Sequence, residues 1–372
     1  MPFGSEGVEA GIGLALSGGG FRATLFHCGA LWRLNELGYL PKLNRVSSVS
    51  GGSITAGVLA SKWSSLHFSN GIANNFVKEV TNPIRLFCGR SVDTPSIIKG
   101  VLWPRKRVSD AVEENYRKYL FGEKTLQDLP TNNAPLFIFN TTNLATGVDF
   151  RFSKPYAGDY RIGLIKNPAF RLSLAVTASS AFPPYLSPVV IETNPVSFTR
   201  TKGADLFDEE SYRTRLVLTD GGVYDNLGLE TVWNRYQTLL VSDAGMPFET
   251  NAGPRSNWYG QTLRAFDITT NQARVLRKRA LAYEYQFGYR IGAYWGIMTE
   301  FKGYNLPGGL SVSTEAMREL AMIRTRLNPF SEEEQCRLIN WGYAVCDIRM
   351  RRYLIKESSP PPKWPYSNFA LG

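Results

Sequence analysis

The sequence predicts an α/β fold built on a mainly parallel sheet. Three observations carry that expectation. Short apolar runs alternate with amphipathic stretches through the first hundred residues. Those runs end in glycine-rich turns that open directly into helical patterns. The composition, 43% hydrophobic and 20% charged over 372 residues, suits a chain that buries a full core without staples.

The elements follow in order. Residues 12–16 are a buried-strand run entering the turn Ser17-Gly18-Gly19-Gly20. A helix is expected over 23–37, with Phe26, Ala30, Leu34 and Leu37 on one stripe and Gly38 as its stop. Residues 45–49 read as a second strand, Gly51-Gly52 breaks it, and 53–60 begin another helix. Strand, turn and helix repeated in this way imply parallel strands joined by right-handed crossovers. Residues 135–140 form a further strand, and 148–152 alternate like the return arm of a hairpin turning at Leu144-Ala145-Thr146-Gly147. A helix over 172–179 ends before Phe182-Pro183-Pro184. Residues 215–219 and 238–242 are two more buried strands. Beyond Asn251 helical patterns take over, at 271–287, 314–327 and 331–353. There Ser331 followed by Glu332-Glu333-Glu334 supplies a side-chain cap and acids that complement the helix dipole.

Several function classes are excluded early. The only histidines are His27 and His67, so nothing later can supply the imidazole of a Ser–Asp–His chain order or of a histidine-rich zinc site. Cys28, Cys88, Cys336 and Cys346 form no C-x-x-C pair and read as reduced core residues. No apolar run reaches the roughly 18 residues of a membrane-spanning helix, and Met1-Pro2-Phe3-Gly4-Ser5-Glu6 does not open a secretory signal. A soluble, cytoplasmic protein is expected. The net charge is +10, and the residues after Pro254 hold 17 Lys and Arg against 10 Asp and Glu. Such a basic surface attracts polyanions, and the anionic face of a membrane suits it better than nucleic acid, since no zinc, helix-turn-helix or RNA-binding signature accompanies it. A solvated charged face is the plain alternative.

The candidate chemistry sits in three turns, each at a strand end. In Ser17-Gly18-Gly19-Gly20-Phe21-Arg22, consecutive glycines let several N–H groups face one concavity with a helix N-terminus behind it, which makes an anion site. Dinucleotide binding does not fit this loop, because the second strand ends in Val46-Ser47-Ser48-Val49-Ser50 without the required acid. Ser48-Val49-Ser50-Gly51-Gly52 has the form of a nucleophile elbow in which Ser48 replaces the first glycine. Leu218-Thr219-Asp220-Gly221-Gly222 runs a buried strand into an acid that could accept a serine proton. Taken singly, these turns read equally as ordinary capping turns.

Together they resemble the patatin-like phospholipase family. The matching pieces are Ser17-Gly18-Gly19-Gly20-Phe21-Arg22, Ser48-Val49-Ser50-Gly51-Gly52, Thr177-Ala178-Ser179-Ser180-Ala181-Phe182-Pro183-Pro184, and Asp220-Gly221-Gly222-Val223-Tyr224-Asp225-Asn226. Their order agrees from about Gly11 to Gly245. The resemblance implies a three-layer α/β/α fold, with residues 1–250 as the catalytic domain and 251–372 as a mainly helical region packed on it or extending it. It implies an acyl hydrolase acting on phospholipid or lysophospholipid, with Ser50 as nucleophile, Asp220 as general base, and no metal or organic cofactor. The amides of Gly18, Gly19, Gly20 and Gly51 would hold the oxyanion, with Arg22, Gly52, Gly221 and Gly222 in support. Arg22 reads either as a brace or lipid-phosphate contact, or as a surface ion pair. A non-catalytic lipid-binding module and an acyltransferase using the same serine are the alternatives, and an activating ligand or a homo-oligomer is compatible with either.

Asp243, in Val241-Ser242-Asp243-Ala244-Gly245, is the competing acid, and the related cytosolic phospholipase group favours an Asp-Ala-Gly setting. His27 reads as a packed core histidine near the site, and Asp225 with Asn226 as braces for the loop after Asp220. Two segments suit peripheral membrane contact. One runs over 95–107 and carries Trp103, Arg105, Lys106 and Arg107; the other is Arg274-Val275-Leu276-Arg277-Lys278-Arg279, whose helix shows Leu276, Ala280, Tyr283 and Phe287 on one face. That helix could instead pack on the core.

Overall fold

The computed structural model describes residues 8–92, 107–301, 306–355 and 359–372. The predicted alternation opens the chain: β1 (Glu9–Leu16), α1 (Gly20–Glu36), β2 (Arg45–Ser48) and α2 (Gly51–Lys62). A small hairpin, β3 (Phe68–Ser69) and β4 (Ile72–Ala73), lies off the main sheet and precedes α3 (Asn82–Cys88) and α4 (Val108–Tyr116). A meander follows: β5 (Leu136–Asn143), β6 (Val148–Ser153), β7 (Tyr156–Asp159) and β8 (Gly163–Lys166). Then come α5 (Leu172–Ser179), β9 (Val189–Glu192), β10 (Phe198–Thr199), α6 (Ser211–Thr214) and β11 (Arg215–Asp220). Two short helices, α7 (Gly222–Asp225) and α8 (Glu230–Trp233), lead into β12 (Tyr236–Asp243). The chain closes with α9 (Trp258–Gln286), β13 (Ile291–Gly296), α10 (Thr314–Met322) and α11 (Glu332–Tyr353).

The main sheet is mixed, with a parallel centre. β13, β12, β1, β2 and β5 run parallel in that order, and β6, β7, β8 and β10 continue beyond β5 as an antiparallel wing. Because the central strands are covered on both faces, their side chains alternate between two cores. Leu14, Leu16 and Leu240 enter the large core with α1, α2, α5 and α11, whereas Ala15, Leu239 and Val241 enter a smaller one with Val232 of α8 and Leu281 of α9. These are the three layers that the fold class requires. Helix α11 is bound to α1 by a fully buried ion pair, Arg33 Nη2 to Asp347 Oδ1 at 2.7 Å, and by an edge-on contact between Phe26 and Trp341.

Three expectations need correction. β11 is antiparallel to β5, so Asp220 does not end a strand of the parallel set. The mainly helical region after Asn251 also holds an edge strand that its sequence pattern does not signal, residues 291–296, parallel to β12. Helix α9 begins at Trp258 rather than near 271, capped by Asn257, whose side chain accepts from the Gly260 amide at 2.7 Å. Helix α10 stops at Met322 rather than at 327, because its last carbonyls are taken by Arg22: Nη1 donates to Ala321 O at 2.6 Å and to Ile323 O at 2.8 Å.

Candidate active site

β2 and β11 occupy the same flank of β5 and meet end to end. Ser48 pairs with Phe139, and Asp220, arriving from the opposite direction, pairs with Thr141. The two chain ends therefore converge across about two residues, roughly 7 Å at ~3.3 Å per residue. Asn140 fills the junction: its Nδ2 donates to Ser47 Oγ and to Ser48 O, both at 2.9 Å, and its carbonyl accepts from Ser179 Oγ at 2.7 Å.

Ser50 stands at the turn between β2 and α2 with φ 53° and ψ −121°, a backbone conformation that costs a non-glycine residue about 1–3 kcal/mol. Surrounding hydrogen bonds enforce it. The Ser50 amide donates to Ser179 O at 3.1 Å and to Ser179 Oγ at 3.0 Å, while its carbonyl accepts from Ser53 N at 2.8 Å. Ser179 O also accepts from Gly221 N at 3.3 Å, so one carbonyl at the end of α5 ties the Ser50 turn to the Asp220 turn. The small residues are needed for space. A Cβ on Gly51 would strike the Gly20 backbone, and one on Gly52 would come within 2.5 Å of Leu16 O. The neighbouring hydroxyls are committed: Ser48 to Ile138 O at 3.0 Å, Ser53 to Ser48 at 2.9 Å, and Ser47 to Gly228 O at 2.5 Å. Ser48 thus fits where the elbow has a glycine because its hydroxyl has partners. The Ser50 hydroxyl alone among these faces the Asp220 carboxyl.

Asp220 is buried. Its Oδ1 accepts from Gly222 N at 2.7 Å, and its Oδ2 has no hydrogen-bond partner. Burial pushes its pKa up to about 7, against the smaller downward pull of the Gly222 amide and the facing Ser50 hydroxyl.

The glycine loop brings the N-termini of α1 and α2 together. Gly19 (φ 142°) and Gly20 (φ 57°) adopt conformations closed to other residues without strain. Among the described residues, the amides of Gly19, Gly20 and Gly51 donate to no acceptor. Gly18 corrects the sequence reading, because its amide is committed to Asn226 O at 3.0 Å and is not a free donor. Gly18 is there for space, since a Cβ would strike Asn226 Oδ1 and lie 3.1 Å from Ser50 Cβ. Gly221 and Gly222 are confined likewise, by Asn140 O and by the side chains of Asn226 and Asp220.

Arg22 is fully buried, which removes both the surface-ion-pair and the lipid-contact readings. Besides capping α10, its Nη2 donates to Ala244 O at 2.8 Å, so it braces the glycine loop against the end of β12 and the C-terminal region. Burial lowers its pKa to about 10. His27 is a core residue, with Nε2 2.9 Å from Ser17 O and Nδ1 2.8 Å from Ser242 Oγ. Burial brings its pKa down to about 4, so it is neutral, with the proton on Nε2 facing the carbonyl. Asp243 is fully engaged. It pairs with Lys278, accepts from Tyr294 Oη at 2.8 Å on Oδ2 and from Gly245 N at 2.9 Å on Oδ1. Burial alone would raise its pKa, but Lys278 and Arg274 outweigh that and hold it below the usual carboxylate range. Asp225 accepts from the amides of Leu227, Leu229 and Glu230 and so braces its loop. No cluster of three metal-ligating side chains occurs among the described residues. A cavity of about 250 Å³ lined by Asp149, Arg151, Tyr156 and Glu230 lies apart from Ser50.

Of the membrane-contact candidates, Trp103, Arg105 and Lys106 lie outside the described residues, and Arg107 is exposed at the start of α4. Helix α9 packs Leu281 into the smaller core but turns the face marked in the sequence outward: Leu276, Tyr283 and Phe287 are 58%, 53% and 55% exposed, while Arg277 and Lys278 face inward to Asp225 and Asp243. Phe266 of α9 meets Phe182, next to the Asp220 turn, at 6.1 Å between ring centroids. Asn226, expected as a brace for the loop after Asp220, packs its side chain against Gly18 and Gly222, whereas sequence reasoning missed Asn140 and the stapling role of Ser179. Only Ser179 left a signal, as a small polar residue in the segment before the proline pair.

Comparison with known proteins gives a consistent placement. The family model described as patatin-like phospholipase matches residues 14–233. Among solved structures, human GIVD cytosolic phospholipase A2 in complex with a methyl gamma-linolenyl fluorophosphonate inhibitor and terbium chloride aligns with a TM-score of 0.54 at 15% identity. That alignment covers 92% of this chain and 58% of that one. The same human enzyme with methyl gamma-linolenyl fluorophosphonate aligns at 0.52 and 16% identity, with the same coverage. VipD from Legionella pneumophila aligns at 0.37 and 16% identity, over 92% of this chain and 67% of that one. For the human enzyme the likeness is one of fold, and the chain spans little more than half of that enzyme's length. No curated protein sequence matches significantly.

Proposed function

The chain belongs to the patatin-like phospholipase family, and from that premise we propose that it is a lipid acyl hydrolase working through a Ser50–Asp220 dyad. The observation that carries the proposal is the pairing of a strained Ser50 (φ 53°) with a buried Asp220 oxygen that has no partner. As Ser50 Oγ attacks the ester carbonyl, its proton passes to Asp220 Oδ2. The carbonyl oxygen becomes an oxyanion held by the free amides of Gly19, Gly20 and Gly51, and loss of one such donor typically costs about 10²–10³ in rate. Collapse expels the alcohol oxygen, which takes the proton back from Asp220 and leaves an acyl-Ser50 ester. Water then gives a proton to Asp220 and attacks that ester, so that fatty acid leaves and Ser50 regains its proton. A base with a pKa near 7 suits this exchange at neutral pH.

The substrate class in this reading is phospholipid or lysophospholipid presented at a membrane surface. The exposed apolar face of α9 would dock there, with Phe266 linking that helix to the mouth of the site at Phe182. Residues 1–250 would then carry the chemistry, while 251–372 complete the sheet and supply the docking helix.

The test is fatty-acid release from mixed anionic and zwitterionic liposomes by wild type, Ser50→Ala, Asp220→Ala and Asp243→Ala. Release lost in the first two variants and kept in the third is expected. Loss in Asp243→Ala with survival in Asp220→Ala would move the base to the end of β12. Liposome binding without release by any of the proteins would replace the hydrolase with a lipid-binding module.

A further inference from the structure

Charge is out of balance beside the site. Asp243 is the carboxylate on which Lys278 and Arg274 act, and Arg22 feels both Asp243 and Arg274. Three cations are thus electrostatically coupled to one acid. Two of them are spent: Lys278 in the ion pair with Asp243, and Arg22 on the carbonyls of Ala244, Ala321 and Ile323. Arg277, one turn along α9, is paired with Asp225 at 3.4 Å.

Arg274 is not spent. Its one hydrogen bond among the described residues is weak, Nη2 to Asn271 Oδ1 at 3.3 Å, and its Nε is buried without a partner. It makes no ion pair within 4 Å among the described residues, because Asp243 is already saturated by Lys278, Tyr294 and Gly245. Its place is defined by Gly245, where an added Cβ would lie 2.5 Å from Arg274 Nη1 and 2.9 Å from Asn226 Nδ2. The other end of the Asn226 amide abuts Gly18 and Gly222, the glycines that lie against Ser50 and Asp220. One amide side chain therefore separates an uncommitted guanidinium from the dyad.

We propose that Arg274 is the phosphate-reading residue of this site, donating from its guanidinium to the anionic phosphodiester of a glycerophospholipid whose acyl ester lies at Ser50. The inference rests on the hydrolase reading above and adds to it a basis for selecting phospholipid over neutral glyceride. The chemistry fits: a guanidinium matches a phosphate with two parallel N–H donors, and in a glycerophospholipid the phosphate lies only the length of the glycerol backbone from the ester. The role falls to a helix after β12 because the arginine next to the glycine loop, Arg22, is buried in bracing it.

The test compares wild type, Arg274→Gln and Arg274→Lys on phosphatidylcholine and on diacylglycerol of the same chains in the same mixed micelles. A third arm follows p-nitrophenyl butyrate with and without inorganic phosphate. The kcat/KM ratio for phosphatidylcholine over diacylglycerol should fall about ten- to a hundredfold in Arg274→Gln, as expected for loss of a charged hydrogen bond. The fall should lie mainly in KM, with part restored in Arg274→Lys. Equal losses on both lipids, or no loss, would overturn the proposal. So would a phosphate effect on p-nitrophenyl butyrate that vanishes in Arg274→Gln while the lipid ratio holds, because the ligand would then be free phosphate. Wild type inactive on all three esters would instead overturn the hydrolase reading itself.

Discussion

Replacing Asp220 with asparagine should stabilise the protein at alkaline pH and leave it nearly unaffected at acid pH. The raised pKa, about 7 against 3.8 for an ordinary aspartate, means that the native state holds a proton which the unfolded chain has released. Stability from this group is therefore complete below the unfolded value, declines as pH rises toward 7, and is lost above it. Between pH 4.5 and 8.5 the change spans roughly 2.5 pK units, or about 3 kcal/mol at 1.36 kcal/mol per unit. A chain of 372 residues unfolds with an entropy near 0.8 kcal/mol/K, at ~2.1 cal/mol/K per residue, so the expected shift in Tm is about 4 °C. Asparagine keeps the acceptor for the Gly222 amide and removes the ionisation. Whatever its amide costs in place of Oδ2 does not depend on pH. Asp149, another buried acid held up to about 7, shifts both proteins equally and cancels in the comparison. The assay is thermal melting of both proteins at the two pH values, read as the difference of differences. A gap between variant and wild type that is the same at pH 4.5 and 8.5 would refute the reasoning, as would an asparagine variant that loses ground at pH 8.5.

Two further outcomes follow from the same geometry. Because Asp220 must be ionised to accept the Ser50 proton, kcat/KM on a soluble ester should rise with pH to a plateau, with its midpoint near 7; a profile that falls through this range would exclude Asp220 as the base. Leu276→Glu combined with Phe287→Glu should weaken sedimentation with anionic vesicles by roughly tenfold or more, since each half-exposed side chain stands to bury about 1 kcal/mol or more of apolar surface. Undiminished sedimentation would place membrane contact elsewhere.

What could be read in the sequence was local. The run over 12–16, the glycine turn and the following helix are one continuous stretch in which apolar period, φ > 0 and helix start are each set by neighbouring residues, and β1 and α1 formed accordingly. The same holds for β2, α2 and the hairpin of β5 with β6. What could not be read depended on partners far along the chain. Arg22 looks like a surface charge until the carbonyls of Ala321 and Ile323, some 300 residues on, close around it. β13 escaped notice because Gly292, Gly296 and a half-exposed Ile291 dilute its apolar pattern, and it becomes a strand only by pairing with β12.

The proposed dyad marks the boundary between the two kinds of information. Each of its turns is legible alone, as a small-residue elbow and as an acid before paired glycines, but nothing local says that they meet. They meet because β11 enters antiparallel in the space beyond the end of β2 and takes up the upper half of β5. The carboxylate thus arrives head-on to the serine, where a parallel strand would have set it alongside. That arrangement buries Asp220 behind Ser50, removes water from its outer oxygen and produces the raised pKa on which the proposed base depends. In the proposed reaction it would also account for chemistry without a histidine. A carboxylate in water is too weak a base to take a serine proton, and this topology supplies the desolvation that an imidazole, with its higher intrinsic pKa, would not have needed.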